Sequence, residues 1–222
     1  AIAIGLQKSG VNKCFPSAAR HAPIQSGGLH VLSLYNEMGV ARTVALIEHC
    51  HGNTPTGQFM QTNIEHLVME TGLYGTLWQM NADHLELWCD TRSWIFHTIK
   101  YNHDRGIQLN IEHTYIKPQR MHDKALMDLA FQFTTEPRKL KAINRVRILH
   151  EVIHLSDITT ANGTRIDPAF LISDPFPEKR NDYSWSKKHH VTTSDFTIWR
   201  QFINNIYNYD QFTLQRPLSH WT

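Results

Sequence analysis

The chain has 222 residues, 41% of them hydrophobic and 19% charged. That composition can bury a core and excludes an intrinsically disordered chain, and the length suits one large domain or two small ones. The formal charge of +2 is too small for nucleic-acid binding by the whole surface, so only local basic patches can carry such a role.

Residues 1–28 hold Lys8, Lys13 and Arg20 with no acid before Glu37, and read as a loosely structured basic arm with one short helix at most. Residues 29–222 then read as a mainly helical domain of about six helices with a minor strand pair, α+β at most, with a possible subdivision at 105–118. Leu29–His49 gives one or two helices around Gly39. His49-Cys50-His51 resembles a metal fragment, but no second Cys/His pair follows at finger spacing, so it reads as a helix end. Thr54-Pro55-Thr56 opens a helix through Thr71, with Met60, Ile64, Leu67 and Val68 inward and Gly72 as its stop. Residues 73–90 are aromatic and irregular. Trp94–Asp104 is a short helix closed by Gly106. Ile107, Leu109 and Ile111 alternate as a strand, to be paired with Ile158–Ile166. A further helix runs from Pro118 to Phe133.

The longest helical signal begins at Pro137, with Ala142, Val146, Leu149 and Ile153 on one stripe. Arg138, Lys141 and Arg145 share another face, and no acid lies between Glu136 and Glu151. Beyond Gly163, Pro168, Pro175 and Pro177 argue against regular structure over 167–182, and Lys179, Arg180, Lys187 and Lys188 flank Tyr183 and Trp185 in a basic and aromatic loop. The last helix is capped at Thr193 or Ser194 and turns Phe196, Trp199, Ile203 and Ile206 inward. The cysteines Cys14, Cys50 and Cys89 are scattered and odd in number, which points to reducing, intracellular surroundings, nucleus or cytoplasm. No run approaches the ~20 apolar residues of a membrane span. The absence of an initial methionine at Ala1 suggests a processed product or a piece of a longer protein.

Within the basic helix, His150-Glu151-Val152-Ile153-His154 matches the zinc-protease pattern H-E-x-x-H. On a continuous helix the two histidines would share a face and ligate zinc, with Glu151 as general base and Glu178 as the third ligand. Fifteen histidines make chance matches common, and Glu178 sits among prolines and lysines. The preferred reading has both rings hydrogen-bonded at the border of the core, with no metal or other cofactor. No phosphate loop, nucleophile elbow or two-aspartate polymerase motif is present, and Ser156-Asp157 reads as turn chemistry.

Several short stretches, taken in order, resemble one family. They are Gly27-Gly28-Leu29 leading to Leu34-Tyr35, Thr54-Pro55-Thr56-Gly57-Gln58, Glu70-Thr71-Gly72, and Thr91 with Trp94. Ala142-Ile143-Asn144-Arg145-Val146-Arg147, Leu155-Ser156-Asp157-Ile158, Gly163, Trp185 and Trp199-Arg200 follow. Together they resemble the region downstream of the polymerase core in retroelement reverse-transcriptase-like proteins of diatoms and other protists. That resemblance implies a part that is not catalytic by itself, within a parent RNA-directed DNA polymerase. The expected partners are RNA or DNA and the polymerase core. Phosphates would meet Arg138, Lys141, Arg145, Lys187 and Lys188, and a base would stack on Trp185. A purely structural module, docked on the core through the aromatic residues 73–94, is the other option.

Overall fold

A computed structural model describes residues 16–73, 77–79, 85, 86, 93–111, 116–118, 120–172, 183, 185, 190–208, 213–215, 217 and 218, with Lys8 and Gly10 ahead of them. The protein is mainly helical. Among the described residues the helices are α1 (Ser17–His21), α2 (Leu34–His49), α3 (Pro55–Thr71), α4 (Trp94–Asp104), α5 (Leu126–Phe133), α6 (Pro137–His150) and α7 (Thr193–Ile206). Two compact units, Ala1–Ala45 and Leu46–Thr222, divide inside α2.

In the first unit, the backbone N–H groups of Leu29, His30 and Val31 donate to the carbonyls of Ala19, Ala22 and Arg20. Gly28 permits this return, because a Cβ there would lie 2.0 Å from the Ala22 carbonyl oxygen. The part of α2 in this unit buries Gly39 and Thr43 but exposes Leu34, Tyr35, Met38, Val40 and Val44.

The second unit holds the main core. Helix α3 forms where its sequence signals place it: the Thr54 hydroxyl accepts from the Gly57 N–H at 3.1 Å, and Pro55 occupies the first turn. Gly72 ends it in the left-handed region at φ 70°. Helix α4 begins with Ser93 accepting from the Phe96 N–H at 3.0 Å. Helices α6 and α7 form the principal packed pair. Leu140, Ile143 and Val146 from α6 and Phe196, Trp199, Phe202 and Ile203 from α7 are all buried in one cluster. Each such apolar side chain contributes about 1.5–3 kcal/mol of burial free energy. Trp199 Nε1 donates to the Phe170 carbonyl at 2.8 Å and Arg200 Nε to that of Leu171 at 2.7 Å, which ties the 3₁₀ turn Pro168–Leu171 to α7.

Three local expectations change. The described strand pair is β1 (Tyr207–Asn208) with β2 (Thr213–Leu214), antiparallel. Residues 107–111 form no ladder; the Ile107 N–H closes a turn onto the Asn102 carbonyl. Residues 158–166 make a single bridge, Thr159 to Ile166, joined to β2 through Arg165 and Thr213. Helix α5 starts at Leu126, not near Pro118, because Ala125 is held in a bridge to His154. Helix α6 stops at His150. Glu151 turns into the left-handed region at φ 57° and ψ 45°, and the Val152 N–H reaches back to the Arg147 carbonyl at 3.2 Å. Such a non-glycine residue costs about 1–2 kcal/mol. The turn is offset by placing Val152 and Ile153 in the core, at 0% and 2% exposure. No helix among the described residues is long and apolar enough to cross a membrane.

Candidate functional site

The basic helix α6 sorts its cations by face. Leu140, Ile143, Arg147 and His150 recur at i, i+3, i+7 and i+10, and all four are buried. Arg138 and Lys141 are exposed. Lys139 pairs with Glu136 at 2.9 Å on the surface, an interaction of small energetic weight.

Arg145 joins α6 to α7. Its Nη2 lies 2.5 Å from Asp195 Oδ1 and its Nε 3.3 Å from Oδ2. Asp195 also accepts from the Thr192 N–H at 2.9 Å as part of a capping box. Burial pushes the Asp195 carboxyl up, but the hydrogen bonds from Arg145 and Thr192 outweigh it and hold the pKa below the ordinary value. Of the three cations expected to share a phosphate-binding face, Arg145 thus has its guanidinium committed to a carboxylate.

Arg147 was not singled out as a site residue by the sequence. It is fully buried. Its Nε donates to Asn144 Oδ1 at 2.8 Å, Nη1 to the Val152 carbonyl at 3.0 Å, and Nη2 to the carbonyls of Met69 at 2.5 Å and Glu70 at 3.2 Å. Asn144 Nδ2 donates to the same Glu70 carbonyl at 2.9 Å. A cation and an amide therefore satisfy the C-terminal carbonyls of α3, where the helix dipole also favours positive charge. Burial pushes the guanidinium pKa down to about 9, with the Asp157 charge opposing, so the group remains a cation at neutral pH. The Trp185 ring lies 5.7 Å from the guanidinium carbon, which gives its indole a cation–π role in the fold. A sequence signal for this site exists: a basic residue recurring on the apolar stripe of Leu140 and Ile143.

The histidine motif does not form on a helix. His150 is the last residue of α6, and Glu151, half-buried, leads the chain away. The His150 ring packs edge-on against Phe170 and Phe196, with ring centroids 5.6 Å and 5.9 Å away, and lies 6.3 Å from Trp199. His154 caps the 3₁₀ turn Leu155–Ile158: its side chain accepts from the Asp157 N–H, and Asp157 Oδ2 accepts from the N–H groups of Ile153 and His154 at 2.7 and 2.8 Å. Burial pushes the His154 pKa down, against the pull of Asp157, Asp123 and Asp128. Burial pushes Asp123 up, against hydrogen bonds from Ser156 and Lys124. The single helix face that H-E-x-x-H chemistry requires is thus not provided by this backbone. Among the described residues no three His, Cys, Asp or Glu side chains come together as a metal site. Glu178, Lys187 and Lys188 lie outside the described residues. Of the aromatic stretch 73–94, Leu73, Leu77 and Leu85 are fully buried, and Trp78 and Trp94 pack half-buried against the core.

Compared with known proteins, the chain matches no family model, no curated protein and no solved structure.

Proposed function

We propose that this chain is a non-catalytic, nucleic-acid-supporting part of a reverse-transcriptase-like retroelement protein, with the exposed edge of α6 holding template phosphates. The observation that carries this reading is the division of labour on α6. Arg145 and Arg147 are consumed by the fold, while Arg138 and Lys141 stand exposed on a helix without an acidic residue. Two such cations neutralise about two phosphates. On single strands the slope of log K against log salt is then about −1.4, or roughly a sevenfold loss of affinity between 50 and 200 mM salt. Fluorescence anisotropy of a labelled single-stranded RNA should show that slope, and the double substitution R138E/K141E should abolish it. Binding that ignores salt, or that survives the double substitution, would refute the reading.

A second reading, packing on a polymerase core, draws support from α2, where Leu34 is 62% and Val40 51% exposed. It predicts that L34S/V40S reduces recovery of polymerase activity when the chain is mixed with such a core, while RNA affinity stays unchanged.

A further inference from the structure

Asn162-Gly163 lies in the turn that the Thr160 N–H and the Arg165 carbonyl close at 2.8 Å, and it carries a reactivity that the basic face of α6 does not use. An asparagine followed by glycine is open to attack by its own main chain, because glycine has no Cβ to shield its backbone nitrogen. The Gly163 nitrogen bonds to the Asn162 carboxamide carbon, Cγ, and the Cγ–Nδ2 bond breaks. Ammonia leaves, carrying the proton that the Gly163 N–H gives up, and a succinimide ring remains. Water then opens the ring at either carbonyl. One product is aspartate; the other is isoaspartate, whose main chain runs through Cγ.

The native turn opposes the first step. The Gly163 N–H donates to the Thr160 carbonyl at 2.8 Å, and ring closure takes that proton away. Asn162 Oδ1 accepts from the hydroxyls of Thr160 at 2.7 Å and Thr164 at 2.8 Å, and from the Thr164 N–H at 3.2 Å. These bonds hold the carboxamide that must turn its carbon onto the Gly163 nitrogen. Gly163 is itself buried at φ 69°, and a Cβ there would lie 2.0 Å from Arg120 Nη1. Arg120 Nη2 also donates to the Ala161 carbonyl. The attacking nitrogen is therefore packed, while the Asn162 side chain stands exposed to water.

We infer that Asn162 is a self-modification site which the closed 160–165 turn protects, and that its conversion to isoaspartate proceeds through local opening of this turn. The two products differ in consequence. Aspartate keeps the main chain and still accepts from both hydroxyls, so the turn closes again. Isoaspartate lengthens the main chain between residues 162 and 163 by one carbon. The Gly163 and Thr164 carbonyls, which accept from the Leu218 and Leu214 N–H groups at 2.9 and 2.8 Å, then move out of register. The hold of the turn on β2 and on Leu218 is lost.

The test follows modification of Asn162 in the full chain at neutral pH by peptide mapping and mass spectrometry, native and unfolded in urea. The native chain should react about tenfold more slowly or less, since attack waits on opening. T160A/T164V removes both hydroxyl donors and should raise the native rate severalfold with the unfolded rate unchanged. T164V alone keeps the test decisive if the double variant does not fold. G72A, which weakens the fold at the end of α3, should leave the native rate near that of wild type, because only the turn has to open. Amide exchange at Leu214 and Leu218 should quicken in the isoaspartate-bearing fraction and stay unchanged in N162D. Equal rates in native and unfolded chains, a native rate unmoved or lowered when the hydroxyls are removed, or one raised as much by G72A overturns the inference. Unchanged exchange at Leu214 and Leu218 in the isoaspartate fraction does so as well.

Discussion

Replacing Arg147 by methionine tests the reading of this buried cation as a structural tie. Methionine preserves much of the aliphatic volume but removes every donor. The carbonyls of Met69 and Val152 and the Asn144 Oδ1 atom would then lose the guanidinium, while Glu70 would keep Asn144 Nδ2 at 2.9 Å. Each buried acceptor left unsatisfied costs about 1–3 kcal/mol, and relief of the guanidinium's own desolvation offsets part of the sum. A net loss of about 3–5 kcal/mol is expected. For a chain of this size that lowers the unfolding midpoint by roughly 10 °C. Urea denaturation of wild type and R147M at neutral pH measures the difference directly. R147K should recover only a small part, because an ammonium cannot span acceptors on both sides of the planar fork. N144A should cost less alone, and R147M/N144A should depart from the sum, since the Arg147 Nε–Asn144 Oδ1 bond is lost in either single variant while the Glu70 carbonyl loses its last side-chain donor only in the double. A loss under about 1 kcal/mol for R147M, or strict additivity in the double variant, would refute the argument.

Two further outcomes follow from the same region. G72A should destabilise the fold by about 2–4 kcal/mol, because Gly72 sits at φ 70° and a Cβ there would lie 2.6 Å from both Arg147 Nε and Met127 Cγ; a thermal midpoint equal to wild type would contradict it. Stability should fall as the pH drops below about 6.5, the unfolded histidine value, because burial holds the folded His154 pKa lower and the unfolded chain binds the proton first. The slope contributed is at most about 1.4 kcal/mol per pH unit for one proton, and Asp123, whose pKa is raised, opposes it at more acid pH because the folded chain then binds the extra proton. Urea midpoints at pH 7 and pH 5.5 check the sign, and H154N should flatten the difference.

Local sequence determined the elements whose ends are built from neighbouring residues. The Thr54 cap, Pro55 and the Gly72 stop define α3, and Ser93 defines the start of α4, because a cap closes hydrogen bonds three or four positions away. The inward stripe of α7 was equally legible, since Phe196, Trp199 and Ile203 repeat at the helical period and are all buried. The end of α6 was not. Helical periodicity carries Ala142, Val146 and Leu149 on to Ile153, but the chain turns at Glu151 because Val152 and Ile153 find deeper burial, and the Val152 carbonyl finds Arg147, outside the helix. That turn also decides the histidine motif, whose spacing has chemical meaning only on a continuous helix. The alternation of Ile107, Leu109 and Ile111 met the same limit, because a strand needs a partner, and β2 pairs with β1 and bridges to Arg165 instead. Arg145 and Arg147 are both arginines on one basic helix, and composition treats them alike. Only packing separates them, since the Asp195 carboxylate and the α3 carbonyls that engage them lie 50 and 77–78 residues away along the chain.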